Sequence, residues 1–205
     1  MDGKEKPDTD RAMVIAYPLK DSLYLNITNR CSNACLFCIR KTAAGVGYNL
    51  WLKQEPSVAE IMNAIGEPGR YSEIVFCGYG EPLMRPEIVV EVARLLKKYP
   101  LKIRLNTNGL AGLFLDYDII PQLTGLIDTI SISLNADNAR TYQELTRTQF
   151  GTIAFPAVLD FIRRSKSAIP DVIVSVVRYP GVDIEKAALL AENLGVQFRV
   201  REFLE

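Results

Sequence analysis

The chain has 205 residues, 48% of them hydrophobic, enough to bury one sizeable core in a single domain. Its 24 basic and 24 acidic residues balance, so no global field recruits nucleic acid or an anionic membrane, and no apolar run approaches the roughly 20 residues that span a bilayer. It has no histidine, which excludes Ser-His-Asp and Cys-His hydrolases and imidazole-based zinc hydrolases, leaving acid–base work to carboxylates, Lys, Tyr or Cys.

Residues 1–12 are polar and mixed in charge, without the apolar stretch of a secretory signal, and read as a flexible tail ahead of one core domain, 13–205. A first strand is expected over Ser22–Thr28, then a helix with Val58, Ile61, Met62 and Ile65 on one face and Gly66 as its stop. Further strands follow at Glu73–Cys77, Lys102–Asn106, Asp128–Asn135, Val172–Val177 and Gln197–Phe203. Between them the 3.6-residue period marks helices at about Glu87–Lys98, around Tyr142 and Leu145, around Val158, Leu159 and Ile162, and at Ile184–Leu194 before Gly195. Such alternation argues an α/β fold with parallel strands, and six units are too few for a closed eightfold barrel. The expected architecture is a partial, open (β/α)6 barrel of the TIM type.

Strands buried on both faces should be continuously apolar. Several here instead alternate with period two. Ile103 and Leu105 oppose Lys102, Arg104, Asn106 and Asn108, and Ile130, Ile132 and Leu134 oppose Ser131, Ser133 and Asn135. Leu23, Leu25 and Ile27 oppose Tyr24, Asn26 and Thr28, and Phe198 and Val200 oppose Gln197, Arg199 and Arg201. The apolar faces suit helices outside the barrel; the polar faces would share a concave lumen.

Three of the four cysteines, Cys31, Cys35 and Cys38, follow the first strand in a Cys-x3-Cys-x2-Cys loop. Without a secretory context they point to metal or redox chemistry in the cytoplasm, not to disulfides. A structural zinc site needs a fourth Cys or His, and only Cys77, beyond a predicted helix, remains. Three thiolates suit a metal centre with one open position.

The loop resembles the signature of radical S-adenosylmethionine (radical SAM) enzymes. The resemblance implies that Cys31, Cys35 and Cys38 hold three irons of a [4Fe–4S] cluster whose fourth iron takes SAM. It implies that Phe37, before the third cysteine, contacts the adenine. Gly78-Tyr79-Gly80-Glu81-Pro82 is similar to the family's GGEP segment, with Tyr79 replacing a glycine, and implies carbonyls near the methionine ammonium. Ser133 and Asn135 are candidates for the ribose and carboxylate, Ser131 a poorer one, and Asn108 lies in an Asn-Thr-Asn-Gly strand end common in the family. Arg178 is a candidate for the SAM carboxylate or an anionic substrate; Arg199, Arg201 and the inward-facing Cys77 have no assigned role, and Gly45 and Gly47, in Ala43–Trp51, suit a loop over the cluster.

Tyr24–Cys31, Phe76–Leu83 and Val200–Phe203 look most like the small TatD-linked radical SAM proteins. The implied activity is oxygen-sensitive reductive cleavage of SAM, driven by a flavodoxin or ferredoxin. The 5′-deoxyadenosyl radical then takes hydrogen from an unidentified small molecule or protein. The competing expectations are a binding module stapled by zinc or an iron–sulfur group, and an electron carrier.

Overall fold

A computed structural model describes residues 14–42 and 45–204; the expected tail, 1–12, lies outside them. The strands are β1 (Ala16–Leu19), β2 (Ser22–Leu25), β3 (Glu73–Phe76), β4 (Lys102–Thr107), β5 (Thr129–Ser133), β6 (Asp171–Arg178) and β7 (Gln197–Glu202). They form one sheet in chain order, β1-β2-β3-β4-β5-β6-β7. β2 to β7 are parallel; β1 is an antiparallel addition paired to β2. This is the open partial barrel expected from the alternation, with one extra strand. β1 carries no readable strand period, because Ala16-Tyr17-Pro18-Leu19 is short and contains proline, tolerated here on an edge strand.

The helices are α1 (Val58–Ile65), α2 (Pro86–Leu96), α3 (Ile120–Leu123), α4 (Ala139–Thr146), α5 (Ala154–Lys166) and α6 (Ile184–Leu194). Their ends obey local chemistry. Ser57 and Glu60 form a reciprocal capping box on α1; Asn138 and Asp183 cap α4 and α6; Gly195, at φ 64°, closes α6 in the left-handed region. The apolar stripes pack against one face of the sheet. Leu23, Leu25, Ile74, Phe76, Ile103, Leu105, Ile130, Ile132, Val172, Val174 and Val176 are buried there against Ile61, Val89, Ala93, Val158, Ile162 and Ala187.

The opposite face is the polar lumen. Register aligns Tyr24 with Val75, Val75 with Arg104, Asn106 with Ser131, Ser133 with Ser175, Ser175 with Arg199 and Val177 with Arg201. A cavity of about 440 Å³ on this side is lined by Tyr24, Arg104, Asn106, Ser131, Arg199 and Arg201, among others. A shallower hollow of about 740 Å³ lies at the other end of the strands, lined by residues such as Lys20, Ser22, Glu73 and Lys102. The cysteine loop follows the carboxyl end of β2, away from the second hollow.

The alternation of β2 stops short of its expected end. The strand finishes at Leu25, and Asn26 and Thr28 turn to loop contacts instead of the lumen. Asn26 donates through Nδ2 to the carbonyls of Val14 (3.0 Å) and Leu50 (2.7 Å), and Thr28 donates its hydroxyl to Glu55 at 2.5 Å. A buried amide with three available loop partners is held there more firmly than in an open cavity.

Candidate functional site

The cysteine loop leaves β2 and crosses the barrel mouth to α4. Ala34 N–H donates to the Thr146 carbonyl (3.0 Å), Leu36 N–H to Leu145 (2.9 Å), and Gln149 N–H back to Ser32 (3.3 Å). Phe37 is buried at this junction with Leu145 and Val177, its ring edge-on to Tyr179 with centroids 5.6 Å apart. All three loop cysteines are half-buried free thiols. Burial pushes Cys31 up to about 11 and Cys35 up to about 12, so as free thiols both keep their protons at neutral pH. Two cations brace the loop: Lys41 Nζ donates to the carbonyls of Ala34 (2.9 Å) and Cys35 (2.7 Å), and Arg40 to those of Asn29 (3.4 Å) and Asn33 (3.5 Å). Positive charge beside the thiols opposes the upward push of burial and favours their thiolate forms.

Gly78–Pro82 leaves β3 directly beside the start of this loop. The ladder continues beyond both strands, with Cys77 N–H on Leu25 O (3.0 Å) and Glu81 N–H on Arg30 O (2.8 Å). Neither Gly78 nor Gly80 has a positive φ. The expected reason for the glycines, a permissive turn, therefore gives way to close approach. A Cβ on Gly80 would strike the Thr28 carbonyl oxygen and lie 2.6 Å from that of Arg30; one on Gly78 would strike Asn26 Oδ1 and lie 2.8 Å from its Cα. Tyr79 has room in the place of a family glycine because its ring turns outward against Trp51, edge-on at 5.2 Å, while its N–H donates to Asn26 Oδ1 at 3.2 Å.

Glu81 is buried, and its carboxylate accepts from Asn108 N–H (2.6 Å), Thr107 Oγ1 (2.8 Å) and Leu83 N–H (3.1 Å). Burial raises its pKa to about 7 despite these donors. It locks the end of β4 to the Gly78–Pro82 segment. Asn108 carries the connection onward, donating through Nδ2 to Ser32 Oγ (3.0 Å), with Cys31 Sγ at 3.9 Å. Gly78, Tyr79, Gly80, Glu81 and Asn108 thus form one buttress under the cysteine loop.

Across the mouth, Ser133 ends β5 opposite Ser175, and Asn135, at φ 59°, is buried with its N–H on Ser175 O (3.1 Å). Arg178 is placed elsewhere. It follows Val177 on the opposite face of β6, is exposed, and meets Glu202 at 3.1 Å, because strand alternation sends it outward. The inward guanidiniums are Arg104, Arg199 and Arg201, readable from the polar half of each period-two pattern but not separable there from a solvated face. Cys77 lies near Asn106 and Arg201, which oppose the upward push of burial on its thiol. The Gly45–Trp51 part of the proposed covering loop brings Tyr48 and Trp51 to the surface; Ala43 and Ala44 lie outside the described residues.

The model of the radical SAM superfamily matches residues 25–194, from the end of β2 to the end of α6. The chain belongs to the radical SAM superfamily. Among curated relatives, the GTP 3′,8-cyclase of Lactiplantibacillus plantarum is 29% identical over 131 residues, covering 63% of this chain and 38% of that protein. A probable dual-specificity RNA methyltransferase, RlmN, of Nocardioides sp. is 28% identical over 153 residues, covering 65% of this chain and 38% of that protein. The chain thus spans well under half the length of these two relatives. Streptococcus suis SuiB shares the fold, with a TM-score of 0.58 at 16% identity over 86% of this chain and 38% of that one. Membership in the radical SAM superfamily implies a [4Fe–4S] cluster, SAM and an external reductant, and favours an enzyme over a metal-stapled module.

The donor set fits these groups. Among the described residues no three His, Cys, Asp or Glu side chains form a group that could hold a metal ion as they stand. A cluster that offers each thiolate its own iron does not require three sulfurs to meet at one atom. Asn33 in the loop, Asn106 on β4 and Asn135 after β5 each have a buried side-chain oxygen with no partner among the described residues, as expected of groups that await a polar ligand. No helix among the described residues is long and apolar enough to cross a membrane.

Proposed function

We propose that this radical SAM chain holds a [4Fe–4S] cluster through Cys31, Cys35 and Cys38 and cleaves SAM reductively over the polar lumen. The observation that carries the reading is the three-thiol loop, fastened across the barrel mouth by Phe37 and α4 and buttressed by Glu81 and Asn108. When bound, the cluster supplies the electron that splits SAM into methionine and a 5′-deoxyadenosyl radical, which takes hydrogen from the substrate.

The protein's own contribution is placement and shielding. The three thiols lose their protons on loading, and Lys41 and Arg40 offset the charge that accumulates there. Phe37 presents an apolar wall for adenine, the Gly78–Glu81 backbone a polar edge for the methionine end, and Ser133 and Asn135 hydrogen-bonding groups for ribose. Arg178, turned outward and paired, is dropped from this set. Burying the reacting groups in the barrel limits side reactions of the radical. A flavodoxin or ferredoxin is the proposed electron donor, and the loaded protein is expected to be oxygen-sensitive.

Anaerobic reconstitution with iron and sulfide tests the reading. The protein should turn brown, carry about four irons per chain, the composition of such a cluster, and form 5′-deoxyadenosine from SAM and dithionite. A colourless protein that holds one zinc and leaves SAM intact would refute it.

A further inference from the structure

Two arginines of β7 stand on the lumen wall. Arg199 and Arg201 are two residues apart on β7 and share its inward face, opposite Ser175 and Val177. Their spacing along the strand, about 7 Å, keeps like charges close together. Among the described residues neither forms an ion pair. Of the nearby carboxylates, Glu73 is held by Arg104 at 2.9 Å, and Glu202, which also lines the cavity, meets Arg178 at 3.1 Å in an exposed pair. Arg104 is nearly buried; its Nη2 is held by Glu73 and by the Tyr24 hydroxyl (3.0 Å), while its buried Nε has no partner among the described residues. The buried Asn106 Oδ1 is likewise unpartnered, an acceptor facing the same cavity.

Both residues are exposed at the rim of the cavity, and each guanidinium is a strong donor set built for oxyanions. The cavity, about 440 Å³, suits a small molecule. We propose that Arg199 and Arg201 bind the carboxylate or phosphate of a small anionic substrate, with Asn106 accepting a hydrogen bond from a hydroxyl or amine on the same molecule. Arg104 stiffens the base of this site through Tyr24 and Glu73. The proposal rests on the reading of the lumen as the substrate chamber, but its binding step does not require cluster or SAM.

Isothermal titration of the full chain with inorganic phosphate, pyrophosphate, succinate and neutral erythritol tests it. At least one anion should bind and erythritol should not. The Arg199→Gln/Arg201→Gln double variant should weaken that anion at least tenfold, with thermal melting and iron uptake unchanged. Asn106→Asp, which adds a negative charge to the chamber, should weaken it several-fold. Arg94→Gln, on the exposed face of α2, should change nothing. A phosphate preference over succinate assigns a phosphate ester, and the reverse a carboxylate. No binding of any anion, or equal binding by the double variant, overturns the proposal. Competition between the anion and SAM for one site also overturns it, because the arginines would then serve the SAM carboxylate. Failure to form 5′-deoxyadenosine, with anion binding intact, sinks the radical reading and leaves the anion site standing.

Discussion

Gly80→Ala tests the buttress most directly, because two readings of that glycine predict opposite signs. Gly80 does not occupy the left-handed region, so its backbone is open to alanine. If only conformational freedom mattered, alanine would stabilise the protein by about 0.4–1 kcal/mol through the unfolded chain. The structure instead sets the new Cβ against the carbonyl oxygen of Thr28 and 2.6 Å from that of Arg30, both backbone atoms. Relief requires the Gly78–Pro82 segment to move away, stretching the 2.8 Å bond from Glu81 N–H to Arg30 O. Overpacking costs about 1–3 kcal/mol. The weakened hydrogen bond adds about 1 kcal/mol, so a loss of roughly 2–4 kcal/mol is expected. At about 2–4 °C per kcal/mol, the melting temperature should fall by roughly 5–15 °C. Gly112→Ala is the control, since nothing lies within 4 Å of its added Cβ and its φ is not positive. Urea denaturation of the cluster-free protein measures both. A Gly80→Ala variant as stable as wild type or more so, matching Gly112→Ala, would refute the close-approach argument.

Three further outcomes are expected. Ala at Cys31, Cys35 or Cys38 should each abolish the visible absorbance of the reconstituted protein, whereas Cys77→Ala should keep its iron, as measured by iron analysis and ultraviolet–visible spectra. Glu81, with a pKa raised from 4.5 to about 7 when folded, binds its proton more tightly in the folded than in the unfolded chain. Its contribution to stability is therefore largest below about pH 4.5 and declines as pH rises towards about 7. Relative to Glu81→Gln, the wild type should lose up to about 3 kcal/mol between pH 4.5 and 8; a pH-independent difference in denaturation midpoints would show that folding leaves this carboxyl's pKa unshifted. Ser57→Ala removes the side-chain half of the α1 capping box, the hydroxyl that accepts from Glu60 N–H, and should cost about 1 kcal/mol, read from the same denaturation curves.

Much of the fold was legible because its signals are local. The caps Ser57, Gly66 and Gly195 mark helix ends by the chemistry of the few residues beside them, and the alternation in 102–108 and 130–135 separates two sheet faces without knowledge of the partners. β1 was not, because a four-residue strand with a proline has no period to read. The shortened β2 was missed for a different reason: Asn26 continues the alternation, yet partners at Val14, Leu50 and Tyr79, known only after folding, draw it out of the lumen.

The cysteine spacing, the Gly-Tyr-Gly-Glu-Pro segment and the strand alternation determine, by themselves, a radical SAM chain built as a partial barrel with a polar interior. These are properties of adjacent residues, and adjacency survives in a one-dimensional string. Tertiary structure alone decided that Gly78 and Gly80 yield space to a neighbouring backbone, that Glu81 locks β4 beneath the cysteine loop, and that Arg178 turns away to meet Glu202. Each depends on register between strands distant in sequence, where a shift of one residue reverses every side chain.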